Sequence, residues 1–351
     1  MNKILTFASM SAVMISTVFA QKDTVGVNIG ITHPLGIFRT DDATVNCNVN
    51  LITSNVHSLN GLDIAGVASI VQTTANGLQV GYLASMAQQV IGIQASGVYN
   101  SVREDVLGYQ ATGVYNRVEG NLSGAQFSGI VNSVKGDMSG YQASGVFNSV
   151  KGNFSGIQAG GVVNHVGGIS NGGQIGLVNI SQDITGFQVG LVNIAGKISG
   201  VPLGLINIAD NGKISIIAYG SNFSGVNVGA KFNVNNFVST ITAGGYDYAG
   251  ALEQTVSFGA SWGYQIPINP IYIEMDIATI NMFETTGMST TNTNDDTVDS
   301  RNLSALRLTA GWEITSYLGI FAGAGAGVEV ESGRWEDPSF KPLYYAGLTI
   351  F

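Results

Sequence analysis

The chain has little of what most catalytic or nucleic-acid-binding proteins need. It has 351 residues with one cysteine and three histidines, and charged residues make up only 11% of it. Because Cys47 is alone, no disulfide can form within the chain. The net charge of −9 leaves no basic stripe to neutralise phosphates, so we expect no nucleic-acid partner. No segment after the N-terminus holds about eighteen consecutive apolar residues, which excludes a predicted transmembrane helix there.

Catalytic and metal-binding patterns are scarce as well. The histidines are far apart in sequence and lack metal-ligand spacing: His33, His57 and His165. The acidic residues between positions 91 and 200 are few and most fall at turns: Glu104, Asp105, Glu119, Asp137 and Asp183. We find no nucleophile elbow, phosphate-binding loop or dinucleotide fingerprint. The sequence therefore predicts no enzyme, no cofactor and no metal site.

The first twenty residues have the pattern of a secretory signal. Lys3 supplies positive charge, Ile4 to Phe19 form an apolar core, and small residues precede Gln21 at the expected cleavage positions. We expect residues 1–20 to be a signal peptide. A membrane anchor is the alternative, although no lipid-accepting cysteine follows.

What the chain has in abundance is a short repeat. Glycines recur every sixteen residues from Gly92 to Gly172, and most open the pattern Gly-apolar-Gln-x-(Ser/Thr/Gly)-Gly-(Val/Ile)-x-Asn. One column of the repeat holds Gln94, Gln110, Gln126, Gln142, Gln158, Gln174 and Gln188. The other holds Asn100, Asn116, Asn132, Asn148, Asn164, Asn179, Asn193 and Asn207. A fixed short period indicates one structural unit stacked on copies of itself.

This repeat predicts a parallel β-solenoid of about ten units of 14–16 residues over residues 61–210. Helix is disfavoured, because each glycine in a helix interior costs about 1 kcal/mol. We expect two short strands per unit, with neighbouring units about 4.8 Å apart. Turns such as Glu119-Gly120-Asn121 are expected to use the positive φ that Gly and Asn tolerate. Gly145 and its equivalents are expected to let neighbouring coils approach closely.

Identical positions stack in a solenoid, so the Gln and Asn columns predict buried ladders of side-chain amide hydrogen bonds. The alternative is a row of ligand contacts along one face. Tyr99, Tyr115 and Phe147 alternate with the Asn column, and they predict either outward packing or an aromatic binding stripe.

The array resembles that of a bacterial surface-repeat family first described in leptospires and common in Bacteroidota. The resemblance covers about residues 61–210 and implies a surface-exposed protein with no established chemistry. Many members of that family are lipoproteins, whereas this chain lacks the acylated cysteine. A weaker similarity to curlin repeats is carried by Gln188-Val189-Gly190-Leu191-Val192-Asn193-Ile194-Ala195.

After about residue 213 the rhythm changes to longer segments whose lengths suit tilted membrane-crossing strands. Eight are predicted: Lys213–Gly220, Ser224–Phe232, Phe237–Gly245, Thr255–Gln265, Ile271–Met282, Leu303–Ile314, Leu318–Val328 and Pro342–Phe351. They predict an antiparallel β-meander or an outer-membrane-type β-barrel, and the final Phe351 resembles a barrel sorting signal. Trp262, Trp312 and Trp335 would form interface girdles in a barrel, or core aromatics in a soluble domain. The polar segment Thr285–Asn302 predicts a solvated loop.

The domains expected are therefore a signal peptide (1–20), N-terminal strands or a cap (21–60), the solenoid (61–210) and an antiparallel β-domain (211–351). The leading interpretation is a non-enzymatic, structural or adhesive protein of the outer membrane or cell surface of a Gram-negative bacterium. The partners expected are the outer membrane, an unidentified surface or host ligand, and further copies of the chain. Two alternatives stay open: a small barrel channel with the repeats as plug or extension, and a secreted curlin-like fibre former.

Overall fold

The computed structural model describes residues 24–246, 254–285, 300–331 and 338–351. The expected signal peptide and Trp335 lie outside these residues, as does most of Thr285–Asn302. All secondary structure in the described residues is β, as expected, and no helix there is long and apolar enough to cross a membrane. The chain divides into two compact units, Met1–Gln182 and Asp183–Phe351.

The first unit is a parallel β-solenoid. Its strands are β1 (Thr24–Thr32), β2 (Leu35–Gly36), β3 (Thr44–Asn50), β4 (Thr53–Val56), β5 (Ser58–Ala65), β6 (Ala68–Gly81), β7 (Ala84–Ser96), β8 (Tyr99–Val102), β9 (Val106–Thr112), β10 (Tyr115–Val118), β11 (Leu122–Ser128), β12 (Val131–Val134), β13 (Met138–Ser144), β14 (Phe147–Val150), β15 (Phe154–Gly160), β16 (Val163–Ile175) and most of β17 (Val178–Ile184). Parallel pairing already begins between β1 and β3, so the solenoid has about twelve turns where about ten were expected.

Each regular turn contributes one longer and one shorter strand, and equivalent residues pair across turns. In β11 and β13, for example, Gly124 pairs with Gly140 and Gln126 pairs with Gln142. One half of the interior is apolar and holds two columns. They consist of Val102, Val118, Val134, Val150 and Val166, and of Val106, Leu122, Met138 and Phe154. The Gln and Asn columns occupy the rest.

Positive φ occurs at a different glycine column from the one expected. Gly124 has a φ of +136°, and a Cβ there would lie 1.9 Å from the Gly108 carbonyl oxygen of the preceding turn. The turn glycine Gly120 is not among the positive-φ residues. Glycine is required at this position because a side chain would not fit: a Cβ would lie 2.4 Å from an Asp105 carboxylate oxygen. The expectation of positive φ at the Glu-Gly-Asn turns was therefore wrong.

The second unit begins with the final solenoid turns and ends in a closed barrel. The solenoid strands are β18 (Phe187–Val189), β19 (Val192–Ile198), β20 (Val201–Leu203) and β21 (Ile206–Ala209). The barrel strands are β22 (Gly212–Ser221), β23 (Gly225–Val234), β24 (Phe237–Tyr246), β25 (Gln254–Ile268), β26 (Ile271–Thr285), β27 (Ser300–Glu313), β28 (Leu318–Glu331) and β29 (Ser339–Ile350).

All neighbouring barrel strands are antiparallel, and β22 pairs with β29 to close the ring. The predicted all-β architecture is confirmed, and of the two C-terminal alternatives the structure has the closed barrel.

Candidate functional site

The Gln column is a continuous ladder of buried amides. In each step the Nε2 of one glutamine donates to the Oε1 of the glutamine one turn earlier. The distances are 2.9 Å for Gln94 to Gln79, 2.7 Å for Gln110 to Gln94, 2.7 Å for Gln126 to Gln110, 2.9 Å for Gln142 to Gln126, 2.8 Å for Gln158 to Gln142 and 2.9 Å for Gln174 to Gln158. Gln188 is also buried, and its backbone partner in the next turn is Pro202, which cannot extend the ladder.

The Asn column donates in the opposite direction along the chain. The Nδ2 groups bond forward at 2.9 Å from Asn100 to Asn116, 2.9 Å from Asn116 to Asn132, 3.0 Å from Asn132 to Asn148, 3.0 Å from Asn148 to Asn164 and 2.9 Å from Asn164 to Asn179. In the second unit Asn193 donates to Asn207 at 2.8 Å. Two amide ladders with opposed polarity therefore run through the solenoid side by side.

The ladder amides are fully enclosed. Gln110, Asn116, Gln126 and Asn132 are all 0% exposed. A buried amide bonded to its neighbours cannot contact a ligand outside, so this geometry does not favour the alternative of a ligand-contact row. Tyr99, Tyr115 and Phe147 do face outward and are half-buried, with the two tyrosine rings 5.6 Å apart.

The Gln column changes character at Asp63, a feature that the sequence reasoning missed. Asp63 is 0% exposed and occupies the position equivalent to Gln79. Its carboxylate accepts from Asn48 Nδ2 at 2.6 Å, from Ser54 Oγ at 2.7 Å, and from Ser69 Oγ.

Donation reaches Asp63 from both directions along the solenoid. Gln79 donates to Ser69 at 2.9 Å from the following turns, and Asn28 donates to Asn48 at 2.7 Å from the preceding ones. A carboxylate only accepts, so it fits the point where two converging ladders meet. Burial raises the pKa of Asp63, while the hydrogen bonds from Ser69, Ser54 and Asn48 oppose that shift.

A third column, also missed, joins the turns on the solenoid surface. Asp105 Oδ1 accepts from the backbone N–H of Asn121 at 2.7 Å, and Asn121 Oδ1 accepts from that of Asp137 at 2.8 Å. Asp137 and Asn153 continue the series at 2.7 and 3.1 Å. The signal was present in the sequence as Asp or Asn every sixteen residues. Asp105 and Asp137 thus accept hydrogen bonds from backbone N–H groups of the next turn. No group of three or more potential metal ligands occurs among the described residues.

The barrel strands alternate between an apolar outer face and a polar interior. On β26 the outward Met275 and Ile277 are 57% and 64% exposed, while the inward Glu274 and Asp276 are 3% and 2% exposed. Every charged residue whose side chain is described in the barrel strands has the inward register. These residues are Lys213, Lys231, Glu274, Asp276, Arg301, Arg307, Glu313, Glu329 and Lys341. The described outer face therefore carries no charge.

The inward charges are paired. Arg307 contacts both carboxylate oxygens of Asp276, at 2.6 and 3.1 Å, and Lys231 Nζ lies 2.5 Å from Glu274. Glu329 contacts both Lys341 and Arg301.

Aromatic and aliphatic side chains fill more of the barrel interior. The rings of Tyr219, Phe321 and Tyr345 pack 6.1 to 6.4 Å apart. A cavity of about 30 Å³ remains beside the paired charges. An eight-stranded barrel is just wide enough for its side chains to fill, and the described interior around these charged and aromatic side chains is filled.

The two barrel ends differ in the connections they carry. We define the short-turn end by the links Asn235–Asn236, Asn269–Pro270 and residues 314–317. The long-connection end carries residues 222–224, 247–253, 286–299 and 332–338. The outward side chains Thr279, Asn281, Asn302 and Ser304 form a polar edge towards the long-connection end, and Asn302 Nδ2 donates to Asn281 at 2.7 Å.

The final solenoid turn docks on the outer wall near the short-turn end. Ser239 Oγ donates to the Leu205 carbonyl at 3.1 Å, and Trp262 Nε1 donates to that of Gly204 at 2.9 Å. Asn207 donates to Ser239 at 3.0 Å. Trp262 thus binds a solenoid turn, whereas Trp312 stays 49% exposed on the outer face.

Comparison with known proteins gives little further information. No family model matches the chain, and no curated protein matches it. Two solved structures show similarity to part of it. Neisserial surface protein A is 14% identical, with a TM-score of 0.27, and the match covers 40% of this chain and 93% of that one. The N-terminal β-barrel domain of Pseudomonas aeruginosa OprF is 11% identical, with a TM-score of 0.28 and coverages of 40% and 98%.

Proposed function

We propose that the protein is a non-enzymatic component of the cell envelope, with the barrel embedded in an outer membrane and the solenoid as a structural element attached to it. The observation that carries the proposal is the uncharged apolar outer face of the barrel. A charge that faces hydrocarbon costs about 2–4 kcal/mol at the bilayer midplane, so a lipid-facing wall excludes charge. A water-facing barrel has no such constraint.

A transport function receives no support from the interior. Ion pairs and packed aromatic rings fill it, and the cavity among them is about 30 Å³. The channel alternative needs a continuous water-filled path, so we do not propose it.

The fibre-forming alternative receives less support, because contacts cover part of the first described turn and the final turn of the solenoid. In the first unit Phe38 packs against the core, and its backbone N–H donates to Asn28 Oδ1 at 2.9 Å. In the second unit the barrel wall covers the final turn through Ser239 and Trp262. End-to-end stacking of copies requires open ends, because the last strands must offer unpaired backbone groups.

Binding by the solenoid surface is a second candidate function. Its outward tyrosines Tyr82, Tyr109 and Tyr141 are 72%, 55% and 59% exposed. Exposed aromatic rings supply contact area at low entropic cost. A ligand would therefore meet these outward positions and not the amide ladders.

Two charge insertions on the same strand test the membrane proposal. Leu308→Lys places a charge within the apolar outer face of β27, and Ser304→Lys places one at its polar edge. We expect Leu308→Lys to reduce the folded fraction in the outer membrane by at least tenfold, and Ser304→Lys to change it little, because the cost falls to about 0–1 kcal/mol near the interface. Wild-type levels of both variants would overturn the proposal.

A further inference from the structure

The last solenoid strand connects to the barrel at the short-turn end. The chain leaves the last solenoid strand at Ala209 and enters β22 at Gly212. The start of β22 lies at the short-turn end, since Gly212 pairs with Val234, next to the Asn235–Asn236 link. The same end receives the final turn of the solenoid through Ser239 and Trp262.

The difference in connection length between the two barrel ends indicates which end faces the periplasm. In outer-membrane barrels the short turns face the periplasm and the longer connections face outside. Fourteen positions of sequence (286–299) separate β26 from β27, whereas only the two-residue link Asn269–Pro270 separates β25 from β26. The polar outward edge formed by Thr279, Asn281, Asn302 and Ser304 lies towards the longer connections, as expected of strands that emerge from the membrane there.

We propose that the solenoid lies on the periplasmic side of the outer membrane, so that its partners are envelope components between the membranes and not extracellular or host molecules. The proposal rests on the membrane location of the barrel proposed above. It changes the expected role of the solenoid from display at the cell surface to an internal structural arm.

The filled interior supports the same orientation. For the solenoid to reach the outside, residues 24–209 would have to pass through the barrel or through the bilayer. Arg307, Asp276, Tyr345 and Phe321 line the cavity of about 30 Å³, which leaves no space for a polypeptide. The bilayer is no easier a route, because unpaired backbone groups are costly in hydrocarbon. An N-terminal segment that enters at the periplasmic end stays there.

Cysteine labelling of intact cells tests the orientation with the full chain. Cys47→Ser removes the native thiol, and single cysteines are then placed at three sites. Thr293→Cys lies in the 286–299 connection, Ser316→Cys in the exposed short link between β27 and β28, and Ser139→Cys on the exposed solenoid surface. A membrane-impermeant maleimide is applied to intact cells, and again after the outer membrane has been permeabilised.

We expect Thr293→Cys to label in intact cells, and Ser316→Cys and Ser139→Cys to label at least tenfold more after permeabilisation. Labelling of Ser139→Cys in intact cells, with the barrel in the outer-membrane fraction, would overturn the orientation alone. So would labelling of Ser316→Cys with protection of Thr293→Cys. Recovery of the protein in a soluble fraction would overturn both the orientation and the membrane proposal.

Discussion

The side-chain amide of Asn207 donates a 3.0 Å hydrogen bond to the hydroxyl of Ser239, so the Asn ladder ends on the barrel wall. Ser239 in turn donates to the Leu205 carbonyl. One serine thus accepts from the last ladder residue and covers the last turn. The barrel therefore acts as the cap that a solenoid end needs.

Ser239→Ala is expected to loosen this final turn. The substitution removes the acceptor of a buried amide and should cost about 1–3 kcal/mol locally. Hydrogen exchange followed by mass spectrometry should show faster exchange in β21, where the Ile206 N–H bonds the Leu191 carbonyl. Exchange in β11, within the first unit, serves as the internal control. Unchanged β21 exchange would show that the bond contributes nothing to the cap.

Gly124→Ala is expected to disrupt the solenoid. Its φ of +136° is unfavourable for alanine, and the new Cβ would lie 1.9 Å from the Gly108 carbonyl oxygen. The strain alone costs about 1–3 kcal/mol, and the contact adds to it. Gly26→Ala in β1 is the matched control, because no atom lies within 4 Å of its added Cβ. Equal denaturation midpoints for the two variants would contradict the role assigned to the glycine column.

Gln126→Glu tests the polarity of the Gln ladder. In the wild type Gln126 Nε2 donates to the Gln110 side-chain oxygen at 2.7 Å. The new carboxylate would still accept from Gln142, but it would place an oxygen without a proton against that Gln110 oxygen. We expect a loss of about 3 kcal/mol or more in unfolding free energy, because a buried charge would have lost a partner. Gln72→Glu, on the exposed surface, is the control. Similar stabilities for both variants would show that the ladder is not specific for amides.

Asp63 should make the stability of the solenoid depend on pH. Burial raises its folded-state pKa above the unfolded value, so its stabilising contribution is full below the unfolded pKa and is lost as pH rises through the folded pKa. The stability of wild type relative to Asp63→Asn should therefore decline as pH rises above the unfolded pKa of about 4 and through the higher folded-state pKa.

Denaturant unfolding at several pH values measures this difference directly. Because the carboxylate is buried, the trend should persist at high salt, which screens exposed charges. A difference that rises with pH, or that salt removes, would contradict the assignment.

The repeat spacing made much of the architecture predictable. Equal separations between Gln110, Gln126 and Gln142 imply stacked columns, and the structure has these residues in register. The eight C-terminal segments were likewise located, because alternating turns and apolar runs mark strand limits in an antiparallel sheet.

Closure of the barrel was harder to predict from the sequence, because the inward face mixes Tyr219 and Leu303 with Lys231 and Glu274. An alternation of apolar and polar residues is hidden when aromatic and aliphatic side chains fill the interior. Only the register between strands shows that every described charged side chain of the barrel strands points inward.

Asp63 and the positive-φ glycines could not have been located from composition. Asp63 looks like a degenerate repeat position, and its role follows from the directions in which Asn48 and Ser69 donate. The conformation of Gly124 likewise depends on its distance from Gly108 in the neighbouring turn. Both features arise from contacts between turns, which a single repeat does not contain.

The most direct test of the membrane account is gel mobility of the protein from a purified outer-membrane fraction, with and without boiling. A closed barrel embedded in that membrane should partition there and migrate faster unheated than boiled, because the folded barrel resists unfolding in detergent. Recovery as a soluble species with no shift in mobility would contradict the account and make the apolar wall a surface for a protein partner.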